Sequence, residues 1–106
     1  MAFDGTKIWV TNQGDYTVTA VRAENGRVLG TVSVGNYPYG IAFDGQHLWV
    51  ANNYGDSVSV LSARNGGNQR TISVEQFPWG VYFDGTNIWV ANNHSNTVDK
   101  ISPPSL

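Results

Sequence analysis

Three aspartates, two histidines and a run of aromatic and amide side chains are the residues of this 106-residue chain whose types and spacing could do chemistry. Asp4, Asp44 and Asp84 recur at intervals of 40 residues, each directly before a glycine. A set of carboxylates invites an acid–base reading. Equivalent positions on successive units lie well apart, however, and aspartate before glycine is a turn former, so the set reads as structural. Asn12, Asn52 and Asn92 keep the same interval and read as bonding to neighbouring backbone. Trp9, Trp49 and Trp89 keep it too and read as core. The histidines are His47 and His94. With four antiparallel strands in each repeat, the Asp44-Gly45 hairpin beside His47 and the link between second and third strands holding His94 fall on opposite rims. The two therefore form neither a metal pair nor an acid–base pair within one chain. His94, standing where the preceding repeat has Tyr54, is the better candidate of the two. The remaining chemistry is a surface: Tyr37, Tyr39, Asn53, Tyr54, Trp79, Asn93 and His94 offer stacking planes beside amide donors and acceptors. Such a set suits a polar, planar or sugar-like small molecule, or a peptide. The competing reading is that these aromatics pack the tops of adjacent units.

No phosphate loop, metal cluster, nucleophile paired with a base or basic stripe is present, so no cofactor is expected. With no cysteine, a disulfide framework and a thiolate metal site are excluded. A net charge of −2 with only 13% charged residues points away from nucleic acid and anionic membranes, and no apolar run reaches membrane-span length. Met1 enters the repeated pattern at once, which reads as a cytoplasmic chain without a signal peptide, or an extracytoplasmic one if a leader has been removed.

These residues are positioned by a repeat. Phe3-Asp-Gly-Thr-Lys-Ile-Trp-Val-Thr-Asn12 returns at Phe43 and again at Phe83, 40 residues apart each time. The central copy divides into four short strands: Tyr39–Phe43, Leu48–Ala51, Ser57–Leu61 and Thr71–Val74. Asp44-Gly45 and Asn65-Gly66 supply the hairpin signals between them. The second strands, such as Leu48-Trp49-Val50, are apolar on both faces, as a sheet covered on both sides requires. The expected class is all-β, with each 40-residue unit one four-stranded antiparallel blade of a β-propeller; a β-solenoid fits less well, since it repeats in shorter coils without these turns.

The segments Ile8-Trp-Val-Thr-Asn12, Leu48-Trp-Val-Ala-Asn52 and Ile88-Trp-Val-Ala-Asn92, with Pro38-Tyr-Gly-Ile-Ala-Phe-Asp-Gly45 before the second, resemble the repeat named for its Tyr-Val-Thr-Asn core. Similar repeats occur in propellers related to virginiamycin B lyase. The resemblance implies the propeller fold over essentially the whole chain. Its functional implication is broad, since such propellers include surface proteins, electron-transfer partners and a few enzymes.

In this frame the chain forms a single partial-propeller domain, with blade 1 over 1–34, blade 2 over 37–74 and a three-stranded blade 3 over 77–102. That is about 2.7 blades, too few to close a ring. At about 25 cal/mol per Å², an open face of several hundred Å² forfeits on the order of 10 kcal/mol. The expected partner is therefore the chain itself, in a head-to-tail homodimer of about six blades; a trimer of about nine is a wider ring. Asp99 and Lys100, replacing Ser59 and Val60, read as charges guarding an edge strand.

The functional expectation is a non-enzymatic binding or scaffold module with its ligand on the aromatic–amide rim. One alternative is a lyase-like metal-dependent enzyme using His94 with Asp15 or Asp56. The other is a fragment or engineered piece of a longer propeller with no independent activity.

Overall fold

Hairpin chemistry builds the molecule. Asp4 Oδ1 accepts hydrogen bonds from the backbone N–H groups of Thr6 and Lys7 at 2.9 and 2.7 Å. Asp44 does the same for Gln46 and His47 (2.8 and 2.7 Å), and Asp84 for Thr86 and Asn87 (2.8 and 2.7 Å). The glycine after each aspartate has φ of +103° to +104°, where a β-carbon is strained. The other carboxylate oxygen accepts from the indole N–H five residues on, at 2.8 Å for Trp9 and Trp49 and 2.7 Å for Trp89. One side chain thus closes the turn and aims the tryptophan.

The computed structural model describes residues 1–93 and 95–103. Within them lie three antiparallel sheets. Blade 1 holds β1 (Ala2–Phe3), β2 (Lys7–Asn12), β3 (Thr17–Arg22) and β4 (Val28–Ser33). Blade 2 holds β5 (Pro38–Phe43), β6 (His47–Asn52), β7 (Ser57–Ser62) and β8 (Asn68–Ser73). Blade 3 holds β9 (Pro78–Phe83), β10 (Ile88–Asn92) and β11 (Thr97–Ile101). The strands of each blade are joined in sequence order.

The fourth strands begin at Val28 and Asn68, three residues before the Thr31 and Thr71 expected from the sequence, and end one residue earlier, at Ser33 and Ser73. Register explains the difference. Val21 pairs with Val28 while Ala20 pairs with Gly30, so Leu29 is the extra residue of a bulge; Leu61–Asn68 and Val60–Arg70 repeat the offset. A glycine and polar residues are tolerated there because the ladder, not apolar burial, holds an outer strand.

Burial then records which blades have neighbours. In β6 every residue from Leu48 to Asn52 is buried. In β2 only Trp9 is, and its flanks are half-buried. In β10 the opposite face is covered: Ile88, Val90 and Asn92 are buried while Trp89 and Ala91 are exposed. Trp9 and Val18 of blade 1 pack with Ile41, Leu48, Val50 and Leu61 of blade 2. Trp49, Val58 and Val60 of blade 2 pack in turn with Ile88 and Val90 of blade 3. The innermost strands approach so closely that a β-carbon on Gly40 would lie 2.4 Å from the Trp79 carbonyl oxygen. Glycine is required there by space, not by φ.

The asparagines that end the second strands bind the third strand of their own blade, chiefly through side chains rather than the backbone contacts expected; Asn12 Nδ2 donates to Thr17 and Thr19. Asn52 Nδ2 donates to Ser57 and Ser59, and its Oδ1 accepts from Gly35 N–H of the incoming link. In blade 3 Asp99 replaces Ser59 and draws both Asn92 Nδ2 (2.9 Å) and the Glu75 N–H (3.4 Å). Among the described residues Asn92 Oδ1 is left as the buried side-chain atom without a partner.

Asp44→Ala would strand the fully buried Trp49 indole N–H and open the turn, costing about 2–3 kcal/mol in urea unfolding. Asp84→Ala should cost clearly less, because Trp89 is 37% exposed and water replaces the carboxylate. Equal losses would contradict this assignment.

Candidate functional site

The rim carrying the candidate residues is made by two kinds of link, the one entering each blade and the one joining its second and third strands. They are stitched together by Asn53 N–H to the Tyr37 carbonyl (2.8 Å), Tyr54 N–H to the Asn36 carbonyl (3.2 Å) and Asn93 N–H to the Phe77 carbonyl (2.8 Å). Both links turn through left-handed residues without using glycine. Tyr37 and Phe77 are one pair, at φ +53° and +56°; Tyr16, Asp56 and Asn96 are a set at φ +59°, +49° and +55°. The 40-residue interval shows that this geometry belongs to the repeat. In blade 3 the Phe77 N–H is held by Asp56 Oδ1 at 3.0 Å.

This backbone sets out a row of rings. Tyr16 meets Tyr37 at 5.2 Å between centroids, Tyr37 meets Tyr54 at 4.5 Å, and Tyr54 meets Phe77 at 5.5 Å, all tilted or edge-on. Nearer the inner strands, Tyr39 and Trp79 stack at 4.6 Å with 24° between planes. Of the sequence-derived set, Tyr37 is half-buried within the row, and Tyr54 is its most open member at 59% exposure. Tyr39 and Trp79 are spent partly on each other, each keeping an exposed face. Asn53 is buried and donates Nδ2 to the Pro78 carbonyl of blade 3 at 3.0 Å, so it serves the blade interface and is not an open donor. Asn93 is exposed and lines, with Trp79, Ala91 and Val98, a groove of about 590 Å³ on the outer face of blade 3. His94 lies outside the described residues. Tyr16 and Phe77 complete the row: Phe77 stands one repeat on from Tyr37, and Tyr16 ends the link between the second and third strands of blade 1.

The opposite rim carries a polar groove of about 640 Å³ between blades 1 and 2, lined among others by Asp4, Lys7, Gln46, His47, Arg64 and Asn65. Sequence reasoning treated these turns as structural only. His47 Nδ1 stands 3.8 Å from Asp44 Oδ2, and Lys7 Nζ 3.5 Å from Asp4 Oδ2. No group of three or more metal-ligating His, Cys, Asp or Glu side chains occurs among the described residues.

Two of the turn carboxyls, Asp4 and Asp84, are held acidic. Burial pushes Asp4 up, but the Trp9 indole, the Lys7 and Thr6 N–H groups and the Lys7 ammonium outweigh it and bring Asp4 to about 2. The Asn87 N–H, the Trp89 indole and the Thr86 N–H hold Asp84 at about 2 as well, helped by Lys100. The Tyr16 hydroxyl is pushed up by loss of hydration and by Tyr37 beside it.

A folded value of about 2, below the 3.8 of the free carboxyl, stabilises the fold above that value and is lost as pH falls toward the folded one. Urea-unfolding free energy should therefore drop between about pH 4 and pH 2, and Asp4→Asn should flatten that drop. A profile unchanged by the substitution would refute the assignment for Asp4.

No protein-family model matches this chain, and no curated protein matches it in sequence. Among solved structures it is similar to hydrazine synthase from Kuenenia stuttgartiensis, at 32% identity and a TM-score of 0.89 over 99% of this chain and 32% of that one. It is similar to the WD40 beta propeller domain of Doa1, at 20% identity and a TM-score of 0.79 over 92% and 33%. It is also similar to dihydro-heme d1 dehydrogenase NirN in complex with DHE, at 16% identity and a TM-score of 0.78 over 96% and 23%. The chain spans a third or less of the length of each. The likeness supports the reading of the three sheets as successive blades of a propeller-type repeat fold.

Proposed function

We propose that this chain is a binding or scaffold module without enzymatic activity, a propeller of the Tyr-Val-Thr-Asn repeat type that closes as a six-bladed ring with a second copy of itself. Its exposed rim would take a small polar ligand, a sugar or a peptide. The observation supporting closure is that each open face duplicates a face already mated inside the chain. Phe3, Ile8, Val10 and Val21 occupy in blade 1 the positions of Phe43, Leu48, Val50 and Leu61, which pack under Trp9. Trp89, Ala91 and Val98 occupy in blade 3 the positions of Trp49, Ala51 and Val58, which are fully buried. Apolar faces of this size call for a partner, and head-to-tail pairing of unlike faces closes when the rotation completes a circle.

For the rim, the support is the exposed side of the Tyr39–Trp79 stack, a flat aromatic surface held without flexible linkers. Rigid aromatic planes give contact area at low entropic cost. The enzymatic activities named for hydrazine synthase and NirN belong to proteins matched over 32% and 23% of their length, and are not carried over.

Light scattering over a concentration series should give the mass of two chains; the mass of one chain throughout would contradict closure by a second copy. Titration with neutral oligosaccharides and short peptides should quench tryptophan fluorescence saturably, and Trp79→Ala should abolish the response. A response indifferent to that substitution would move the ligand site elsewhere.

A further inference from the structure

The internal interface between blades 1 and 2 shows what covers an outward-facing tryptophan. The Arg64-Asn65-Gly66 turn of blade 2 lines one groove with Trp9 and Ala20 of blade 1. Gly66 is buried there, and a β-carbon on it would lie 2.8 Å from Val32 Cγ2 and 3.6 Å from Trp9 Cη2. The turn is a lid whose tip must be glycine both for space and for its φ of +75°.

Blade 1 carries the same lid with nothing under it. Gly26 has φ +75°, its N–H donates to the Arg22 carbonyl at 2.8 Å, and Arg22 N–H donates to the Arg27 carbonyl at 2.8 Å. The corresponding bonds in blade 2 run from Gly66 to Ser62 (2.7 Å) and from Ser62 to Gly67 (2.8 Å). Asn25 Oδ1 accepts from Arg27 N–H as Asn65 Oδ1 does from Gly67 N–H, at 3.0 and 2.8 Å. Gly26, unlike Gly66, is exposed, and a β-carbon there would meet no atom within 4 Å. At the far end of the chain Trp89 is the complementary part. It is aimed by Asp84 as Trp9 is by Asp4, yet it remains exposed, with Lys100 Nζ 5.7 Å from its ring centroid.

We infer that Trp89 docks under the Glu24-Asn25-Gly26 turn of a second copy, and that Lys100 pairs there with Glu24 to specify this junction. The inference rests on the homodimeric reading above. Registration follows from the repeat: Lys100 holds the position of Ala20, and Glu24 holds that of Arg64, which lines the same groove as Ala20. Inside the chain, then, a cation sits by an alanine and no ion pair arises. Between copies the same geometry brings an ammonium to a carboxylate. The two charges lie at opposite ends of the molecule, where only a second copy can join them. The charge on Lys100 thereby gains a role beyond guarding an edge: it favours one partner face over others, which is how interfacial charges act.

Sedimentation velocity at low salt tests this with four chains: wild type, Lys100→Glu, Glu24→Lys and the double exchange. Wild type should pair. Each single reversal should weaken pairing about tenfold or more by placing like charges together, and the double exchange should recover most of the loss. Far-UV circular dichroism of all four should coincide, and so should their urea midpoints at concentrations low enough that none of them pairs, since both residues are exposed. Lys100→Gln, which removes charge without reversing it, should fall between wild type and Lys100→Glu. A wild type that stays single removes the second copy, and the homodimeric reading fails with this junction. A wild type that pairs while the single reversals have no effect, or while the double exchange does not recover, overturns this junction alone and leaves closure by two copies standing.

Discussion

A strand that is apolar on both faces can be dry only if a sheet lies on each side of it. That constraint runs through the whole molecule. β6 meets it completely, with Trp49 turned to blade 3 and Leu48 and Val50 turned to blade 1. β2 and β10 carry the same Ile-Trp-Val chemistry but have a neighbour on one side only, and their burial alternates accordingly. The alternation is a consequence of position along the row of blades, since composition hardly differs among the three. An antiparallel sheet with a wet face ordinarily places polar residues there. Here Ile8, Val10 and Val21 on one end and Trp89 and Val98 on the other remain apolar, which supports the proposal that both ends are joints.

The Asp–Trp bond sets the tryptophans of these faces in advance. Because the carboxylate that accepts the indole N–H is itself fixed by two backbone N–H groups of its own turn, tryptophan orientation is decided locally, before any neighbouring blade arrives. Trp89 is therefore held much as its buried counterparts are, and covering it needs little ordering of side chains. Preorganisation of this kind lowers the entropic cost of association. The rim shares the property, since its rings are braced by one another and by left-handed link residues. Rigidity on both counts supports the proposed reading of a module that binds and assembles.

The architecture was legible in the sequence because its determinants are local. Asp-Gly and Asn-Gly pairs at a constant interval define hairpins, and the Ile/Leu-Trp-Val segments state that both faces are covered. What stayed hidden had identifiable causes. The fourth strands start at Val28, where Gly30 and the Leu29 bulge interrupt the apolar run, and at Asn68 among polar residues, so neither start shows a regular hydropathy pattern. The left-handed link positions are filled by Tyr16, Asp56 and Asn96, three different side chains, so no glycine marks them. Asn53 and Asn93 look alike in the sequence, yet one is consumed by the Pro78 carbonyl and the other faces outward, because blade 2 is followed by blade 3 whereas blade 3 is followed by no further blade among the described residues. The Asp–Trp bond, by contrast, left a signal at a fixed five-residue spacing that reading each residue separately overlooked.

In the proposed assembly the outer face of blade 3 is an interface for a blade of a second copy, and hydrogen exchange at the tryptophan indoles reads it directly. Followed by NMR over a range of protein concentrations, the Trp9 and Trp49 indole protons should be protected throughout, while Trp89 exchanges quickly in dilute solution and gains protection as the chain associates. A Trp89 indole that exchanges at one fast rate at every concentration, in a chain that does associate, would place the interface elsewhere and contradict the account.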